Sequence, residues 1–166
     1  MTDNPFLSLP LRRHQLAHLT YYGSWAIGSL VVGGVAMFFT KGQWHHFAHM
    51  NAAWGSINLV IAAWLLYRAK QLSPTLPARA TAKKEREFRQ FLAVNLGLDL
   101  LYLTVGGWLW QWAVGSVTNG ALLLGFGQAV GLQGLVLLSF DTTSMLISLR
   151  RYRTSDAKQY FMKPRG

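Results

Sequence analysis

The run FLAVNLGLDLLYLTVGGWLWQWA, Phe91 to Ala113, is long and apolar enough to cross a bilayer, yet it carries Asn95 and Asp99 one helical turn apart. Crossing the hydrocarbon core takes about 20 mostly apolar residues, and a carboxyl at its centre costs on the order of 2.5–3.5 kcal/mol on insertion scales. Asp99 must therefore face protein or water, which predicts polar partners on other helices. Asn95, Asp99, Tyr102 and Gly106 recur at helical spacing and form one stripe, with Leu98, Leu101 and Leu109 to its sides.

Three more runs of this kind predict an all-α fold, an integral membrane bundle of four transmembrane helices. The spans lie at about 19–40, 48–67, 91–113 and 120–149, in a single domain over 19–149. Only 13% of the 166 residues are charged, against roughly 25% in soluble domains. The net charge of +10 is gathered in blocks between the spans, with no aromatic-interleaved groove, so anionic lipid headgroups and not nucleic acid are its expected partner. The absence of cysteine excludes disulfides, thiolate metal sites, iron–sulfur clusters and thiol nucleophiles. Arg12 and Arg13 precede an apolar run, but Tyr22 to Thr40 exceeds the roughly 7–15-residue core of a cleaved signal and reads as an uncleaved first span.

Residues 1–18 mix Phe6, Leu7, Leu9, Leu11 and Leu16 with Arg12, Arg13, His14 and His18, the composition of an interfacial segment. In span one, Gly23, Ser24, Gly28, Ser29, Gly33 and Gly34 allow a second helix to approach closely. Lys41 to Phe47 is short enough only for a helical hairpin. Span two places Asn51, Gly55, Asn58 and Ala62 on one face, as a bundle-facing polar stripe requires. Residues 68–90 form a basic loop with Pro74 and Pro77, and its second half, AKKEREFRQ, has the helix formers to extend span three. Span four aligns Gly127, Gly131, Gly134, Asp141 and Met145, while Gln128 and Gln133 fall on different flanks; a basic tail, 150–166, follows. If both termini are cytoplasmic, 15 of the 16 Lys and Arg lie inside, as the positive-inside rule demands. This predicts a multi-pass protein of the bacterial inner membrane.

That topology carries a depth argument. Asp99 lies eight residues into span three and Asp141 eight residues before the end of span four, so both sit roughly 12 Å in from the cytoplasmic side. Asn58 reaches a similar level, so Asn58, Asn95, Asp99 and Asp141 form a predicted polar layer, with Asn51, Trp54, Tyr102 and Gln133 as further bundle-facing polar candidates. No basic residue lies within the spans. The acids are either protonated, or face water, a bound cation, or Arg and His of the N-terminal segment. They serve either as interhelical glue or as a proton or ion pathway.

His45, His46 and His49 cluster at the outer mouth of span two. His45 and His49 share a helix face, where they read as interfacial histidines or as part of a divalent metal site. Bis-histidine haem between helices lacks a histidine in spans three and four, whereas one axial histidine for haem or a pigment stays open. No cofactor is predicted. Trp44, Trp108, Trp110 and Trp112 mark an outer aromatic belt, and Trp54 lies deeper, beside the asparagine stripe. GxSxG, P-loop, HExxH and dinucleotide fingerprints are all missing, which argues against an enzyme.

The stretches HMNAAWGSINLVIA at 49–62, NLGLDLLY at 95–102 and GQAVGLQGLVLLSFD at 127–141 together resemble a family of small bacterial four-helix membrane proteins, a domain of unknown function with no assigned activity. The resemblance covers spans two to four and implies the four-helix architecture, not a mechanism. The first expectation is a non-enzymatic accessory subunit of a larger respiratory or photosynthetic membrane complex, with Gly127, Gly131 and Gly134 as helix-packing positions. The alternatives are a small proton- or ion-coupled transporter working through the two acids, and a cofactor- or pigment-binding membrane protein.

Overall fold

The computed structural model describes residues 8–71 and 76–161. Four helices follow one another: α1 (Ser8–Phe39), α2 (Gly42–Lys70), α3 (Ala78–Gly115) and α4 (Gly120–Phe161). Each is long and apolar enough to cross a membrane. The burial pattern is that of a protein dissolved in lipid. Asn51, Asn58, Asp99, Gln133 and Asp141 are buried, whereas Phe38, Val60 and Val94 point outward. Large apolar side chains gain nothing from hiding where the solvent is itself apolar, and the polar groups must instead find partners inside the bundle.

The helices outrun their predicted spans. α3 has 38 residues, about 57 Å at 1.5 Å per residue, against roughly 30 Å of hydrocarbon. The excess lies at the end carrying Arg12, Arg89 and Arg151. There Ala78–Gln90 extends α3, and from Ser8 onward the predicted interfacial segment forms the first turns of α1. Pro10 is tolerated in that first turn because its missing N–H would have no intrahelical partner. Phe6, Leu7, Pro74, Lys163 and Arg165, assigned to the segment, loop and tail by sequence, lie outside the described residues.

α1 packs along α2, α3 along α4, and α2 on α4. Among the described residues no backbone contact joins α2 to α3, and α1 meets α3 only lightly. The meeting of α1 and α3 includes a buried cluster at the basic end, Leu11, Phe88 and Leu92, with Phe91 and Met145 against it. Glycines set the two hairpins. A Cβ at Gly55 would fall 2.8 Å from the Ala26 carbonyl oxygen, and one at Gly127 would fall 2.8 Å from that of Gly106. Both distances are inside van der Waals contact, so the helices pack backbone to backbone, the mode of association available where lipid supplies no hydrophobic drive.

Candidate functional site

Four helices converge on one buried polar group. Asp99 on α3 and Asp141 on α4, each about 2% exposed, place their carboxyls within hydrogen-bonding reach of each other, and the Asn95 side chain reaches Asp141. From α1, His18 Nε2 comes to 3.2 Å from Asp141 Oδ1 while its Nδ1 meets Ser144 Oγ at 2.8 Å. One turn further along α1, the Tyr22 hydroxyl donates to Asn58 Oδ1 at 2.9 Å. The Trp54 ring from α2 crosses to Tyr102 on α3, with centroids 5.1 Å apart.

These residues surround a cavity of about 210 Å³. Its polar floor is incompletely paired: among the described residues Asp99 Oδ2 and Asn58 Nδ2 are buried without a hydrogen-bond partner, and Asp141 Oδ1 has the His18 contact alone. Gly134 brings the acids together. A Cβ at that position would lie 2.9 Å from the Asp99 carbonyl oxygen and 3.0 Å from Tyr102 Cβ, so a larger residue would push α4 away from α3 at this level.

Towards the basic end the polar contacts continue. Ser148 Oγ donates to Glu85 Oε1 at 2.5 Å, Arg151 Nη2 lies 3.4 Å from the same oxygen, and Arg151 also contacts His14 Nδ1 and donates to the Pro10 carbonyl. Away from it lies a separate knot around Gln133. Its Nε2 donates to Asn51 Oδ1 at 2.8 Å and to Ser29 Oγ at 3.1 Å, and its Oε1 accepts from Trp25 Nε1 at 2.8 Å. Asn51 Nδ2 in turn donates to the Phe47 carbonyl. This knot joins α1, α2 and α4, and every polar atom of Gln133 is engaged.

A model of one family matches residues 21–142, most of the chain. The protein belongs to DUF6992, a family of unknown function. The DUF6992 match takes in Tyr22, Asn58, Asp99 and Asp141, and leaves His18, Ser144 and Arg151 outside its limits. Comparison with curated proteins and with solved structures gave no match.

In this DUF6992 chain the four residues of the predicted layer, Asn58, Asn95, Asp99 and Asp141, all line the one cavity, together with Trp54 and Tyr102. Asn51 and Gln133 belong to the separate knot. His45 Nδ1–H donates to the Met37 carbonyl oxygen at 2.9 Å, while His46 and His49 turn towards Phe126. Among the described residues no group of three His, Cys, Asp or Glu is placed to hold a metal ion. Trp44, Trp108, Trp110 and Trp112 are exposed. Gly127 and Gly134 lie against α3, and Gly131 backs onto the space where a Gly106 Cβ would fall.

Of the partners that the sequence offers the acids, a histidine of the N-terminal segment is the one found, His18 at Asp141; the polar contacts of Tyr22 and Trp25 are not among the sequence expectations. The signal was available: His18, Tyr22, Trp25 and Ser29 recur at four-, three- and four-residue steps, one face of a helix.

Proposed function

We propose that this DUF6992 protein is a small, non-enzymatic, proton- or ion-coupled membrane protein in which the Asp99–Asp141 pair binds the coupling ion. The observation that supports the reading is that the buried Asp99 Oδ2 has no hydrogen-bond partner where it lines the cavity beside Asp141. Interhelical glue has its polar atoms satisfied, as Gln133 does, because each unpaired buried group costs about 1–3 kcal/mol. Two carboxyls in contact in a low-dielectric layer repel if both are charged, so the pair takes up a proton or a cation as a unit. His18 and Ser144 give the pair a polar neighbour towards the basic end, and the positive-inside rule turns that end to the cytoplasm of a bacterial inner membrane. Bound anionic lipid is the expected company of the basic end.

A subunit role in a larger membrane assembly has less support than the glycine pattern alone suggested, since Gly127 and Gly134 are occupied by α3 of the same chain. The test is ion flux. Purified protein in liposomes carrying an internal pH-sensitive dye should move protons under an imposed gradient, and Asp99→Asn and Asp141→Asn variants that assemble normally should not. Flux that survives both substitutions would refute the role of the pair.

A further inference from the structure

Part of the cavity wall is apolar and lies at the bundle surface. Among the described residues α2 and α3 make no backbone contact, so the space between them is bridged by the Trp54–Tyr102 ring contact. The lining residues beside it, Ile57, Ile61 and Leu98, are 41–51% exposed on the outer surface of the bundle. In a bilayer this wall faces acyl chains. Behind it stand the faces and edges of Trp54, Tyr22, Tyr102 and Phe91, and at the floor the two carboxyls with the unpaired Asn58 amide.

We propose that this cavity binds an organic ammonium ion carried on an apolar body, which enters sideways from the membrane between α2 and α3. The inference rests on the acid-pair reading given above and names the class of ligand. An alkylammonium matches both the apolar wall of Ile57, Ile61 and Leu98 and the acidic floor of the site. Its apolar body suits the wall, and its charge suits the floor. Aromatic rings hold such a cation through their quadrupoles, most strongly when desolvated, and a carboxylate supplies the counter-charge that an aromatic site lacks. The volume of about 210 Å³ exceeds the roughly 150 Å³ of an engineered cavity that holds benzene, room for the head and its first methylenes. The unpaired Asp99 Oδ2 faces the cation, and the unpaired Asn58 Nδ2 remains to donate to an oxygen on the ligand or to a water beside it.

The test is calorimetric titration of butyltrimethylammonium into the full-length protein in nanodiscs of phosphatidylglycerol, with 1-hexanol as the uncharged counterpart and sodium as the inorganic one. Saturable binding of the ammonium at one site per chain, weakened about tenfold or more by Asp99→Asn and by Trp54→Phe, is the expected result. Trp54→Phe keeps a ring against Tyr102 and guards against a variant that fails to fold, and monodispersity on gel filtration is required of each. Including phosphatidylethanolamine in the disc separates two sources of the same chemistry: competition would make the natural ligand a lipid amine, and no competition a free lipophilic cation. Equal binding of 1-hexanol, binding of sodium alone, or no saturable binding by the assembled wild type would overturn the proposal. Ammonium binding without proton flux would reject the coupling reading and keep this one, and flux without ammonium binding would do the reverse.

Discussion

His18 Nε2 lies 3.2 Å from Asp141 Oδ1, and both side chains are almost wholly buried although they sit on helices at opposite ends of the chain. The same imidazole holds Ser144 through its other nitrogen, so His18 ties α1 to two successive turns of α4. His18→Leu removes both contacts and leaves a carboxyl oxygen and a hydroxyl facing an apolar side chain. The expected loss is about 1–3 kcal/mol for the stranded groups, read as a lower midpoint in a denaturation titration in mild detergent. His18→Gln, which keeps one amide contact, should lose less than His18→Leu.

Gly134 sits where the backbones of α3 and α4 nearly touch beside Asp99. Gly134→Ala would place a methyl group 2.9 Å from the Asp99 carbonyl oxygen, so α4 has to move outward. Overpacking of this kind costs about 1–3 kcal/mol, and the displacement also separates the two carboxyls. Flux through the reconstituted protein should therefore fall. Gly131→Ala, where an added Cβ meets nothing within 4 Å, should leave both stability and flux unchanged.

The Gln133 knot, with its amide fully hydrogen-bonded, predicts a different phenotype. Gln133→Leu strands the Trp25 indole N–H and the Asn51 amide oxygen. Stability should drop by about 1–3 kcal/mol, and Trp25 fluorescence should shift as the indole loses its acceptor. Ammonium binding at the separate cavity should persist in molecules that remain folded.

Glu85 and Glu87 stand two residues apart on α3 and should behave differently. Glu85 accepts from Ser148 and lies by Arg151, linking α3 to α4. Glu87 pairs only locally with Lys84, an exposed pair that salt screens. Glu85→Gln should lower the denaturation midpoint, whereas Glu87→Gln should leave it where it was and show no salt dependence of the difference.

Much of the architecture was legible in one dimension. Four long apolar runs and the stripes on them, Asn51–Asn58, Asn95–Tyr102 and Gly127–Asp141, follow from helical period and the cost of polar groups in lipid. The match in level of Asp99 and Asp141 followed from counting residues from the ends of their spans. His18 was harder to place because its basic neighbours, Arg12 and Arg13, mimic a membrane-surface segment. In the structure α1 simply continues through it, which carries the imidazole to Asp141.

By itself, then, the sequence determined how many helices are long and apolar enough to cross a membrane, which face of each carries polar groups and at what level along each helix those groups lie, because a single helix has a known rise and period. Only the tertiary structure decided that α2 stands against α4 and away from α3, that Gln133 closes one polar cluster completely, and that Asp99 and Asn58 leave another open on a cavity. Those outcomes depend on the rotation of each helix against its neighbours. That rotation is set by backbone contact at Gly55, Gly127 and Gly134, where the glycines pack against residues far away in the chain.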